Sequence, residues 1–268
     1  MINRYNVLSA ENIDAIIREG GARIVDMRLP DAYAGGHLPG AIAIDYADLV
    51  ERRPPILGLL PSIEHLRAVM SRAGLKPTHD IIAYDDEGGG RACRLLWTLD
   101  VLGHKGRLIL LDGGYTAWKA TGAEPHHHAA SPEATQYDVD FLPAATATLE
   151  TIREHLNDPR FRFLDARSSG EYLGTIVRAQ RGGHIPGAIH VEWSETMTSD
   201  RRMKPPSILL NLYAMKNITP DHNIVTYCHS HHRSAHSYFV LKWLGFPKVS
   251  GFAGSWSEWG NRSDVPVA

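Results

Sequence analysis

The sequence repeats itself, and that duplication limits its folds more than any other feature. Val25-Asp26-Met27-Arg28 with Gly36-His37-Leu38-Pro39-Gly40-Ala41-Ile42 returns as Leu164-Asp165-Ala166-Arg167 with Gly183-His184-Ile185-Pro186-Gly187-Ala188-Ile189. Ile81-Ile82-Ala83-Tyr84-Asp85 returns as Ile224-Val225-Thr226-Tyr227-Cys228. Asp112-Gly113-Gly114-Tyr115-Thr116-Ala117-Trp118 returns as Ala253-Gly254-Ser255-Trp256-Ser257-Glu258-Trp259. Two copies in 268 residues give two domains of about 125 residues, an ordinary domain size, whereas a solenoid would need more copies. The expected division is a first domain over 1–125, a linker over 126–145 and a second domain over 146–268. The linker reading rests on residues 122–143, which are rich in Pro, Ala and polar residues.

Each copy alternates strand and helix signals, which predicts an α/β fold with a parallel sheet flanked by helices. In the first copy Ser9 is expected to cap a helix running to Arg18, and Ser62 another running to Arg72. Strands are expected over 22–26, 80–84 and 107–111, with a helix over 92–102. In the second copy Thr148 precedes a helix, 161–165 reads as a strand and 207–216 as a helix.

The chemistry concentrates where the second copy has Cys228. Asn223-Ile224-Val225-Thr226-Tyr227 has the length and β-branched content of a buried strand, and apolar residues recur at helical spacing from Ser234 to Leu244 before Gly245. The thiol therefore sits just before the positive end of a helix. A free cysteine titrates near pH ~8.5; helix-start amides, a nest of loop N–H groups and a guanidinium lower that value. Arg233, five residues on, is placed to face the same anion. The bland reading of Cys228 alone is a small buried residue at a strand end.

The run Cys228-His229-Ser230-His231-His232-Arg233, followed by a helix and then Gly251-Phe252-Ala253-Gly254-Ser255-Trp256-Ser257-Glu258-Trp259-Gly260, resembles the tandem-domain rhodaneses, in particular bacterial thiosulfate sulfurtransferases with a Cys-x-x-His-His-Arg loop. Gly-His-Ile-Pro-Gly-Ala extends the likeness over nearly the whole chain. The resemblance implies two rhodanese-like domains, with sulfane sulfur carried on Cys228 as a persulfide. It implies that His229, Ser230, His231, His232 and Arg233 bind the donor. Arg178 and Arg181, in a segment of the second copy that the first lacks, are implied as further donor-binding residues, and the sequence does not choose between them. The implied reaction takes sulfur from thiosulfate to cyanide, a thiol or a protein cysteine, with no metal or organic cofactor.

Other readings remain. The donor could be 3-mercaptopyruvate; the loop counts for thiosulfate because Arg233, His231 and His232 make it cationic. Separately, the loop histidines count against a metal site because side chains are expected to radiate outward from inward-pointing amides. Cysteine-dependent phosphatases and arsenate reductases also set cysteine and arginine around an anion, but their sites resemble Cys-x5-Arg, and here the spacing is Cys228-x4-Arg233. A non-catalytic sulfur-binding module is a further class, and Cys228 with Arg233 argues against it.

The first copy carries Asp85 where the second has Cys228, in Asp85-Asp86-Glu87-Gly88-Gly89-Gly90. A carboxylate cannot accept sulfur, and clustered acids repel an anionic donor, so this copy should be catalytically silent and serve as packing and one wall of the cleft. Cys93, inside a helix, reads as a packing residue. His126-His127-His128 lack the spacing of converging metal ligands, and His37 and His184 read as structural residues of their turns. Trp193 could line a cleft or be core. No apolar run approaches the ~20 residues of a membrane span, and the N-terminus shows no basic-then-apolar signal, which predicts a soluble, cytoplasmic protein; a monomer is expected. Two cysteines do not suggest a disulfide framework, and a net charge of −2 gives no reason to expect nucleic acid or a membrane as partner.

Overall fold

The computed structural model describes residues 3–268. In chain order the first half forms strands β1 (Tyr5–Ser9), β2 (Ala22–Asp26), β3 (Ile42–Ala43), β4 (Glu51–Arg53), β5 (Ile56–Leu59), β6 (Asp80–Tyr84) and β7 (Leu108–Asp112). Its helices are α1 (Ile13–Glu19), α2 (Pro30–Ala34), α3 (Ile63–Arg72), α4 (Gly90–Val101) and α5 (Gly114–Ala120). The second half forms β8 (Thr146–Ala147), β9 (Phe161–Asp165), β10 (Ile189–His190), β11 (Asn223–Tyr227) and β12 (Val249–Phe252). Its helices are α6 (Leu149–His155), α7 (Ser169–Tyr172), α8 (Pro206–Met215), α9 (Arg233–Trp243) and α10 (Ser255–Trp259). The two five-stranded sheets are parallel throughout, in the orders β1-β7-β6-β2-β3 and β10-β9-β11-β12-β8, so the sequence duplication is a duplication of topology.

The repeated motifs build the same buried network twice. The Asp26 carboxylate accepts from Arg28 N (2.9 Å), Arg28 Nη2 (2.6 Å) and the Tyr84 hydroxyl (2.5 Å), while Arg28 Nη2 also donates to Gly36 O (2.7 Å). Asp165 accepts from Arg167 N (3.0 Å) and Nη2 (2.6 Å), and that nitrogen donates to Gly183 O (2.8 Å). Each pair lies in the interior, where losing one partner typically costs about 3–5 kcal/mol. His37 and His184 hold the following turn: each Nδ1 meets a carbonyl, of Tyr33 (3.0 Å) and Tyr172 (2.9 Å), and each ring stacks on that tyrosine. The structural reading of both histidines therefore holds.

The chain divides into two compact units that are not continuous in sequence. The first comprises residues up to Leu49, Pro61–Leu142 and Ser199–Met203; the second comprises Val50–Leu60, Pro143–Thr198 and Lys204–Ala268. The β4–β5 hairpin thus belongs to the second unit, where Leu57 N donates to Ser257 Oγ (3.0 Å). In the first unit Arg202 pairs with Glu11 (2.6 Å) and Met203 N donates to Asp112 Oδ1 (2.7 Å).

Two local expectations change. Ser9 ends β1 rather than capping a helix, because Tyr5–Ser9 pairs in parallel with Leu108–Asp112, a partner about a hundred residues away; α1 starts only at Ile13 after a single 3₁₀ turn. Residues 126–142 are no loose spacer but a strap bonded to the first unit. His126 and His37 exchange both backbone hydrogen bonds (2.9 Å each), Tyr137 is fully buried with its hydroxyl on His104 Nδ1 (2.8 Å), and Leu142 N donates to Val101 O (2.9 Å). Ser62 and Thr148 cap α3 and α6 as the sequence predicts. Among the described residues no helix is long and apolar enough to cross a membrane, and no group of three or more metal-ligating side chains converges.

Candidate active site

Strand β11 delivers Cys228 to the sheet's C-terminal edge, and α9 begins at Arg233, leaving a short loop that must turn sharply. His231 makes that turn with φ of 53°, a left-handed conformation that costs a residue with a side chain roughly 1–2 kcal/mol. Ser255, at the head of α10, fixes the turn. Its Oγ accepts from Cys228 N (3.2 Å) and His231 N (3.1 Å) and donates to Phe252 O (2.8 Å). Trp256 N and Ser257 N donate to the carbonyls of Cys228 and His229, at 2.9 Å each. Gly58 of β5 closes against the loop, where a Cβ would overlap the Ser230 carbonyl.

Cys228 is 1% exposed. Burial pushes its thiol up, but the Arg233 charge, the Ser234 hydroxyl and the N–H groups of Ser234 and Ser230 together hold it below the ordinary cysteine value. Arg233 is itself anchored: Nη1 and Nη2 donate to the two Glu171 oxygens at 2.6 and 2.9 Å. Glu171 is buried. Burial raises its pKa, yet Arg233 and Ser168 outweigh that and set it at about 2. Ser168 and Glu171 also form the capping box of α7.

The expected site residues do not all converge. Cys228, Arg233 and the Ser230 N–H meet as anticipated. His229 is half-buried, and burial with nearby arginines lowers its pKa, keeping it neutral at pH 7. His231 contradicts the outward expectation: it is fully buried, with Nδ1 2.8 Å from Ser234 Oγ, because the left-handed turn directs it inward. His232 packs near the half-buried Trp193, edge-on with centroids 6.4 Å apart; that indole also meets the buried His236 at 5.5 Å. Arg178 reaches Glu171 (Nε to Oε1 3.4 Å) with its side chain 61% exposed. The expectation for Arg181 is corrected: its guanidinium is committed to the carbonyls of Val265 (2.8 Å) and Trp259 (3.1 Å) and so holds the C-terminal backbone rather than an anion.

Sequence reasoning missed Glu171, Ser234 as a donor, Ser255 and Gly58. Ser168-x-x-Glu171 is a readable capping-box signal, and Ser255 occupies the place of Gly114 in the other copy, where φ is 58°. Nothing local announces Gly58.

The first unit builds the same cradle and fills it with its own side chain. The Asp85 carboxylate accepts from Glu87 N (3.0 Å), Gly89 N (2.8 Å), Arg91 N (3.0 Å) and Ala92 N (3.0 Å). Glu87 and Arg91 stand at the loop positions of Ser230 and Ser234. Burial and the neighbouring Glu87 push the Asp85 pKa up against the pull of these amides. The buried Cys93 has its thiol pushed well above the usual value, chiefly by burial, so it is no nucleophile at neutral pH.

The chain is similar to known proteins along most of its length. The family model described as "Rhodanese-like domain" matches residues 9–121 and 148–262. A thiosulfate sulfurtransferase of Pseudomonas aeruginosa is 39% identical over 244 residues, covering 91% of this chain and 90% of that protein. A thiosulfate sulfurtransferase of Azotobacter vinelandii matches with the same identity and coverage. The human 3-mercaptopyruvate sulfurtransferase is 28% identical over 232 residues, 85% of this chain and 78% of that protein. With both halves matched by one domain model, and two relatives at this identity along most of their length, the chain belongs to the rhodanese-like family as a tandem of two such domains.

Proposed function

We propose that the protein transfers sulfane sulfur from thiosulfate to a thiophilic acceptor through a persulfide on Cys228. The observation that carries this is the buried Cys228 between the end of β11 and the start of α9, where Arg233, the Ser234 hydroxyl and the N–H groups of Ser230 and Ser234 hold its pKa down. The thiolate attacks the outer sulfur of thiosulfate. The thiosulfate S–S bond breaks, its electron pair leaves with sulfite, and a new S–S bond joins that sulfur to Cys228. The persulfide, anionic at neutral pH, keeps the same N–H donors. Cyanide, a small thiol or a protein cysteine then attacks the outer sulfur and returns Cys228 to the thiolate. Arg233, with Arg178 and the loop residues His229, Ser230 and His232, receives the sulfonate end. The reading extends to a monomer of the cytoplasm that needs no cofactor, with the first unit catalytically silent because Asp85 fills its cradle.

A second donor, 3-mercaptopyruvate, is favoured by one observation. Glu171 offsets much of the Arg233 charge and His231 is inside, so the loop offers less positive charge to a dianion than its sequence suggests. Thiosulfate stays the preferred reading through the names of the nearer relatives.

Mixing the protein with thiosulfate and no acceptor should leave one extra sulfur on the Cys228 peptide by mass spectrometry, and cyanide should remove it. Cys228→Ser should take up none. Sulfur on Cys93 instead, or phosphate released from an aryl phosphate with no sulfur added, would overturn the proposal. Steady-state rates with both donors decide between thiosulfate and mercaptopyruvate.

A further inference from the structure

Two groups compete for the one proton of the Ser234 hydroxyl. Its oxygen lies 2.8 Å from His231 Nδ1, and the same hydroxyl helps hold the Cys228 pKa down. A bare Nδ1 would accept the hydroxyl proton and deprive the sulfur of a donor. An Nδ1 that carries the imidazole proton donates to Ser234 Oγ, and the hydroxyl hydrogen is then free to point at the sulfur.

We propose that His231 is a positioning residue, held as its Nδ1–H tautomer, that orders a relay from His231 Nδ1–H to Ser234 Oγ–H to the Cys228 sulfur. The proposal rests on Cys228 being the nucleophile. An O–H donor to a thiolate or persulfide is charge-assisted, and a chain of donors running one way polarises each member in a buried site. The fold spends structure on the arrangement: His231 is fully buried, its backbone sits at φ of 53°, and Ser255 holds its N–H at 3.1 Å. The first unit, whose loop has no thiol, carries Gly88 and Arg91 at the two corresponding positions.

The other charges around this loop are Arg233 on α9, Glu171 on α7, Asp165 at the end of β9, and Arg167 and Arg178 facing His229. His232, His236 and Tyr227 are further titratable neighbours. All of them are unchanged in the variants below.

The relay is tested on the full-length protein by a double-mutant cycle read as the pH dependence of Cys228 alkylation by iodoacetamide. His231→Asn keeps an N–H where Nδ1 stands and tolerates positive φ. His231→Asp has the same shape and the same tolerance but only accepts. Ser234→Ala is expected to raise the Cys228 pKa read from the alkylation profile by about one unit in the wild type and in His231→Asn. In His231→Asp the rise should be less than about 0.3 unit, because the hydroxyl already faces the carboxylate; the charge that Asp adds is common to both arms and cancels. An equal effect of Ser234→Ala in all three backgrounds, or none in the wild type, overturns the relay. Nitrogen-15 shifts of the His231 ring, measured on the wild type, test the tautomer without requiring any variant to fold: a protonated Nδ1 supports the relay and a bare one sinks it. A Cys228 that takes no sulfur from thiosulfate defeats the functional reading instead, and the ring shifts still decide the relay.

Discussion

Arg233 grips Glu171 through both terminal nitrogens, at 2.6 and 2.9 Å, so the cation whose charge lowers the Cys228 pKa is anchored by a buried carboxylate. The fork fixes where the guanidinium can stand, since a planar bidentate pair allows little rotation. It also tempers the field at the sulfur. The site therefore presents an oriented donor rather than a loose positive charge.

Replacing Arg233 by Ala should lower kcat/KM for thiosulfate by about 2–4 kcal/mol, the scale of a lost charge-stabilising donor. The Cys228 pKa is depressed in the native protein, so the acidic limb of the pH–rate profile should move to higher pH in the variant. The Glu171 pKa, about 2 with Arg233 in place, should rise. Because that pKa is depressed, the stability it contributes is complete above the unfolded value near ~4.3 and is lost as pH falls toward 2. Acid titration of wild type and variant should show this loss at low pH only in the wild type.

Asp85→Ala should leave turnover within a few-fold of wild type, because that side chain fills a cradle with no nucleophile. Stability should fall by at least about 1–3 kcal/mol, the cost of leaving a buried donor unpaired, since four backbone N–H groups lose their acceptor. Urea unfolding and steady-state rates separate the two effects; a large loss of turnover in a stably folded variant would give the first unit a direct part in the chemistry.

Tyr137→Ala should destabilise the protein by about 3–5 kcal/mol, as for other buried aromatic truncations, because the ring is fully buried and its hydroxyl meets His104. A flexible linker would tolerate the change. Limited proteolysis between 126 and 142 should accelerate in the variant and be slow in the wild type.

Gly58→Ala should lower both activity and stability, since the new methyl would meet the carbonyls of Ser230 and Ala253. Overpacking of this kind costs about 1–3 kcal/mol, and here part of that displacement falls on the loop that carries Cys228. Thermal melting together with the alkylation rate of Cys228 checks it; a full-activity variant would show that the loop does not depend on the hairpin.

The features legible in the sequence are those written over short spans. The strand Asn223–Tyr227 ending at Cys228, the helix after it and the acidic substitution at Asp85 each lie within about a dozen residues, and the duplication supported each by showing the same pattern twice. Local hydrogen-bond geometry then fixes the amide cradle, which is why it forms in both units whatever side chain fills it. The remainder depended on which distant segments meet. Glu171 and Arg233 lie 62 positions apart and Ser255 and Cys228 27 apart; Gly58 comes to Ser230 from the other half of the chain. His231 reads outward from the sequence because inward-pointing amides usually turn side chains out. The left-handed backbone that Ser255 imposes reverses it. Chain-local patterns set what each segment forms. Only packing set which carboxylate holds the arginine, which hydroxyl holds the loop and which histidine turns inward, because those choices follow from contacts between parts of the sequence that carry no mark of one another.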